Sequence, residues 1–135
     1  MLIRCAAGSV VALVLAAAPY PIAAQAQAQV ADSAQLALGR KVFESKGLCF
    51  SCHGKSGDGL LGPTTNLVSR TFTHTKGSVA ELVALIKAGI SADQSASKQV
   101  MPARGGSRIS DRELAAVAAY VKHMNSMARA PSSIL

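Results

Sequence analysis

Two cysteines and a histidine set the chemistry of this chain. The stretch Gly47–Gly59, GLCFSCHGKSGDG, puts Cys49 and Cys52 three positions apart and His53 directly after the second thiol. On one tight turn, two thiols at that spacing can each add to a vinyl group of the same porphyrin. The next residue is then carried beneath the iron, where its imidazole becomes the proximal ligand. C-x-x-C-H on an exported chain is the attachment signal for haem c. Competing chemistries fit less well. Zinc calls for four ligands, usually two Cys/His pairs, and no second pair exists: His74 and His123 stand far apart. A dithiol redox motif needs a βαβ context that is missing. A disulfide is allowed outside the cytosol but leaves His53 unexplained.

The iron's sixth position can be filled from Met101, Met124, Met127, His74 or His123. Met124 continues the apolar stripe of the last helix and reads as core. Met127 lies at the frayed end of that helix, and His74 sits in the polar loop TFTHTKG. Met101 is claimed by no helical stripe and precedes Pro102, which fixes the backbone and removes a competing N–H. Met101 is therefore the expected distal ligand.

These residues need elements to position them. Asp32 or Ser33 can cap a first helix whose Leu36, Gly39, Val42 and Phe43 share a face, with Gly47 as its stop. The cysteine motif follows at once. Gly54 to Arg70 is rich in Gly, Ser, Thr, Asn and Pro and reads as a long loop, unusual unless packed around something. Ser78 and Glu81 have capping-box spacing ahead of the stripe Val79, Leu82, Val83, Ile86 and Ile90, with Gly89 at its end. Ser91–Gln99 is a flexible polar loop. Ser110 and Glu113 repeat the capping-box spacing before Leu114, Val117, Val121 and Met124, in a helix ending near Asn125. No strand signal exceeds a few residues, so the class is all-α with long loops.

Arg4, the apolar run Val10–Ala18 and the small residues through Ala28 have the form of a secretory signal, with cleavage near 26–28. The run is shorter than the roughly 20 residues that span a bilayer, so no membrane span is expected after cleavage, and Cys5 leaves with the signal. The domain plan is a signal at 1–28, a working domain at 29–127 and a flexible tail at 128–135. The 135-residue chain has a net charge of +7; without Arg4 it keeps 13 Lys and Arg against 7 Asp and Glu, a balance of +6. That excess favours acidic partners. The basic residues are scattered and lack aromatic interleaving, which argues against nucleic acid. Only Phe43, Phe50, Phe72 and Tyr120 are aromatic after residue 28, so a bound prosthetic group would add useful apolar surface.

With these residues in place, the chain resembles the class I (mitochondrial-type) cytochrome c family, in its small bacterial monohaem members. The likeness is carried by CFSCH at Cys49–His53, GPTTNL at Gly62–Leu67, MPARGG at Met101–Gly106 and a last amphipathic helix containing Tyr120; it covers about Gln35 to Asn125. The resemblance implies an all-α class I fold: three main helices with long loops around one covalently bound haem c and its iron. It implies that the Pro63 carbonyl accepts a hydrogen bond from His53 Nδ1–H, and that Gly39 and Phe43 pack near Tyr120. Thr64 and Thr65 depart from the family's G-P-x-L spacing, and the loop before Met101 lacks the aromatic residues that often cover a haem propionate.

The implied function is one-electron transfer in the periplasm, with no enzyme chemistry by the chain's own residues. The chain is either a free carrier between redox partner proteins or the cytochrome subunit of a periplasmic dehydrogenase or oxidase complex. A haem enzyme or gas sensor would need an open iron, which Met101 argues against. Lys46, Lys55, Lys98 and Arg104 flank the two motifs in sequence, and some of them are expected to steer an acidic docking surface.

Overall fold

The computed structural model describes residues 22–69 and 71–128, with side chains from Asp32. The first 21 residues of the expected signal and the tail from 129 lie outside the described residues. Three main helices carry the fold: α1 (Ile22–Phe43), α3 (Val79–Ala88) and α4 (Asp111–Ala128), with a single-turn helix, α2 (Phe50–His53), between the first two. Short 3₁₀ turns occupy Pro63–Thr65 and Ala103–Gly106. No strand occurs among the described residues; one antiparallel bridge joins Ile90 to Met101. The architecture is the all-α, long-looped arrangement expected.

Helix α1 starts ten residues before Asp32, because IAAQAQAQVA holds no Gly or Pro and alternates strong helix formers. A capping residue marks a start only where the preceding chain leaves the helix, and here it does not. Further along, α1 meets α4 at Gly39. A Cβ there would fall on the Ala116 carbonyl oxygen and 2.7 Å from the Tyr120 Cβ, so the two helices touch backbone to backbone. One turn on, Phe43 is 1% exposed and meets Tyr120 edge-on, ring centroids 5.7 Å apart at 66°. Edge-to-face pairs of this kind stabilise by about 1 kcal/mol beyond the area they bury.

Both capping boxes form. Ser78 Oγ accepts from Glu81 N at 3.2 Å while Glu81 Oε2 accepts from Ser78 N at 3.0 Å. Ser110 and Glu113 repeat this at 3.3 and 2.9 Å. Ile109, just before the Ser110 cap, and Leu114 are both buried in the core, an apolar pair spaced to staple the start of α4. Val42, Phe43, Leu82, Ile86, Val117, Ala118 and Val121 complete that core. Val79, expected on the apolar stripe, lies exposed at the first turn of α3.

Asn125 is 2% exposed, continuing the buried column Val117–Val121 by one more turn of α4. Its Nδ2 donates to the carbonyls of Leu67 at 2.8 Å and Ser69 at 2.7 Å. The end of α4 is thereby tied to the loop that leads away from the cysteine segment.

Candidate functional site

The cysteine segment leaves α1 through a tight turn. Gly47 N–H donates back to the Val42 carbonyl at 2.9 Å, and Leu48 takes φ 55°. Helix α2 follows, its Cys49 cap already helical at φ −61°, ψ −38°. His53 N–H donates to Cys49 O at 3.0 Å and Gly54 N–H to Phe50 O at 2.9 Å, closing one turn. Residues at i, i+3 and i+4 of such a turn share a face. Cys49, Cys52 and His53 therefore point together into one cleft, and all three line it. Gly54, at φ 77°, ends the turn.

His53 Nδ1 lies 2.7 Å from the carbonyl oxygen of Thr65. A carbonyl only accepts, so Nδ1 carries the proton and Nε2 keeps its lone pair in the neutral ring. Burial, partly opposed by this hydrogen bond, holds the imidazole below its ordinary pKa and favours that neutral form. The hydrogen bond expected at Pro63 is thus made by Thr65. The Pro63 carbonyl instead accepts from Asn66 N–H at 3.2 Å, inside the 3₁₀ turn. The physical reason is the spacing noted in the sequence: Thr64 and Thr65 carry the chain round one more turn, so a different carbonyl reaches the ring. Thr65 is held in turn by Gly62 O, which accepts its N–H at 3.0 Å and its hydroxyl at 2.9 Å.

Neither thiol is in a disulfide. Cys49 Sγ lies 3.4 Å from Gly47 O, and burial pushes its thiol up to about 11. In that protonated state the thiol is a weak redox nucleophile. Among the described residues, no group of three or more His, Cys, Asp or Glu is placed to hold a metal.

The opposite wall brings in Met101. Its N–H donates to Ile90 O at 2.9 Å, and its carbonyl accepts from Ile90 N–H at 2.8 Å, so the bridge fixes it from both sides. Helix α3 can run up against this segment only because it ends in Gly89, at φ 75°: a Cβ there would lie 2.5 Å from Met101 O and 2.7 Å from Ala103 N. The methionine and cysteine segments touch directly. A Cβ on Gly105 would fall on the Gly47 carbonyl oxygen, 3.8 Å from Cys49 Sγ.

Between these segments lies a cleft of about 230 Å³ that Cys49, Cys52, His53 and Met101 all line. Phe43, Leu82, Ile86 and Val121 make part of its apolar wall. The donor set fits a flat apolar group that carries its own metal: two thiols on one face, a neutral imidazole with a free Nε2, and a thioether sulfur. Met124 packs on the core and Met127 is 62% exposed at the end of α4. His74, from the polar loop, also borders the cleft. Thr65 is the functional residue that sequence reasoning missed; the extra residues after Pro63 were the signal that pointed to it.

Of the four cations among which docking residues are expected, two are engaged within the chain. Lys46 Nζ lies 2.6 Å from Glu113 Oε1. Arg104 pairs with Asp111 and donates to Ile109 O at 2.8 Å. Lys46 beside it, helped by Ser110, lowers the Glu113 carboxyl to about 2. Lys55 and Lys98 are exposed and form no ion pair among the described residues. No helix among those residues is long and apolar enough to cross a membrane.

Residues 34–121 match the protein family described as cytochrome C oxidase, cbb3-type, subunit III. No curated protein and no solved structure matches the chain.

Proposed function

The chain belongs to that family of cytochrome c domains, and from this premise we propose that it is an exported, single-haem carrier of electrons in the periplasm. A cytochrome c domain holds haem c with its iron covalently and passes electrons between redox partners. The residues that would hold the haem here are Cys49 and Cys52 as thioethers, His53 Nε2 as proximal ligand and Met101 sulfur as distal ligand. The observation that carries this reading is their convergence on one apolar cleft from two segments that meet at Gly47 and Gly105.

Bound haem supplies a one-electron couple between ferrous and ferric iron. The chain supplies position and surroundings. Thr65 fixes the His53 ring and its tautomer, which raises its basicity as a ligand. The Ile90 bridge holds the Met101 backbone, and apolar side chains such as Phe43, Leu82 and Ile86 line part of the cleft. None of these roles asks a side chain to give or take a proton, which supports a carrier rather than an enzyme.

Residues 1–28 act as the signal, 29–127 as the working domain and 128–135 as a tail. Cleavage near 26–28 falls within α1 and leaves Gly39 and Phe43 in place. The second reading, a subunit of a periplasmic oxidase or dehydrogenase complex, is favoured by the family's description. Intact-mass measurement of periplasmic protein tests the haem and the export together. The expected mass is the chain from about residue 27–29 plus one haem, unchanged by acid–acetone extraction; loss of haem on extraction refutes covalent attachment. Purification at low salt then separates the two readings, since a subunit co-purifies with its enzyme and a free carrier does not.

A further inference from the structure

The cleft wall just ahead of Met101 carries a donor that no contact among the described residues uses. Three polar side chains are buried among the described residues: Thr65, Ser95 and Asn125. The Thr65 hydroxyl donates to Gly62 O, and the Asn125 amide to the Leu67 and Ser69 carbonyls. Ser95, 7% exposed, has a single side-chain partner: its Oγ lies 2.8 Å from Ser97 Oγ. Two hydroxyls hold two protons, and one bond between them uses one. Gln99 N–H donates to Ser97 Oγ at 3.4 Å, which accepts nothing from the pair. Whichever serine donates, the other's proton meets no acceptor in the contacts of the described residues. The acid of this loop, Asp93, is engaged by Ser91 and by the backbone of Asp93 and Gln94.

Ser95, Ser97 and Gln99 all line the same cleft as Met101. Among the described residues the Gln99 side-chain amide forms no hydrogen bond, and it brings two N–H donors as well as one carbonyl acceptor to the same cleft. A cluster with donors left over from its own contacts, set in a mostly apolar wall, suits an anionic oxygen ligand, because hydrogen bonds to a charged acceptor are about twice as strong as neutral ones. Haem c is apolar over its faces and ends in two carboxylates. We propose that the Ser95–Ser97 hydroxyl pair, with the Gln99 amide, receives a haem propionate carboxylate and so sets which way the acidic edge of the haem lies in the cleft. This rests on the haem reading above. These are positioning residues: they hold the group and take no part in electron transfer itself.

The test is resonance Raman spectroscopy of the purified haem-bearing chain, read at the propionate bending vibration. The wild type is expected to show this band shifted between H₂O and D₂O, since an exchangeable hydroxyl proton bonds the carboxylate. Ser97→Ala is expected to move the band and lose most of the D₂O shift, while Ser97→Thr, which keeps the hydroxyl, retains both. A Ser97→Ala spectrum identical to wild type overturns the proposal. So does a wild type with no D₂O shift, whatever the folding of the variants. Intact mass separates the two levels of the argument: covalent haem with an unchanged band refutes only the serine assignment, whereas a chain without haem refutes the haem reading and this proposal together.

Discussion

Replacing Gly105 with alanine tests whether contact between the cysteine and methionine segments holds the site together. Gly105 has φ 69°, and its Cβ would fall on the Gly47 carbonyl oxygen. Gly106 has φ 75°, yet its Cβ would meet only Pro102 carbons at 3.5 and 3.6 Å, an ordinary contact. Both alanines are forced into the left-handed region, which costs about 1–2 kcal/mol each. Only Gly105→Ala adds an overlap with backbone that cannot rotate away, for a further ~1–3 kcal/mol. The expected loss is thus about 2–5 kcal/mol for Gly105→Ala and about 1–2 kcal/mol for Gly106→Ala. Denaturant unfolding of the haem-bearing proteins, compared by midpoint at constant slope, reads the difference. Carbon monoxide binding to the ferrous form reads the consequence: it is faster in Gly105→Ala, as the Met101 segment is pushed from Cys49, and near wild type in Gly106→Ala. Equal destabilisation by the two alanines would refute the reasoning, because the Gly105–Gly47 contact would then contribute nothing.

Other expectations follow from single contacts. Asn125→Ala removes the donor to the Leu67 and Ser69 carbonyls and costs about 2 kcal/mol, at roughly 1 kcal/mol per hydrogen bond, read by thermal unfolding. Glu113 has its pKa lowered on folding from 4.5 to about 2, so its contribution is fully present above pH 4.5 and lost as pH falls towards 2; Glu113→Gln and Lys46→Met should each flatten acid unfolding in that window. Lys55→Glu with Lys98→Glu should slow electron transfer with an acidic partner at low salt and match wild type once salt screens charges beyond about 10 Å, near 0.1 M. Lys46→Glu should instead destabilise the fold, by setting a second carboxylate against Glu113.

What was legible in the sequence was chiefly local. The Ser78 and Ser110 capping boxes depend on residues three apart, so spacing alone places them. The face shared by Cys49, Cys52 and His53 follows from one turn of helix. Gly39 and Phe43 were placed against Tyr120 by family resemblance, and the packing agrees. The rest turned on partners distant in sequence. Asn125 read as a helix end, although its position four residues after Val121 put it on the buried column; its acceptors lie 58 and 56 residues away. The carbonyl that meets His53 belongs to Thr65 because a 3₁₀ turn, invisible to periodicity, absorbs the two extra residues after Pro63. Lys46 and Arg104 looked free for docking because Glu113 and Asp111 are brought beside them only by the fold.

The central claim is that His53 and Met101 grip one iron from two segments of a single cleft. The absorption spectrum of the oxidised protein tests it most directly, since sulfur from methionine on ferric haem iron gives a weak band at the red end of the visible range. The account predicts that band in the wild type and its loss in Met101→Ala, with carbon monoxide then binding freely to the reduced protein. A band that survives in Met101→Ala would assign the distal position to Met124 or Met127. A wild type with no such band, its iron instead held by two histidines, would give that position to His74 and contradict the claim.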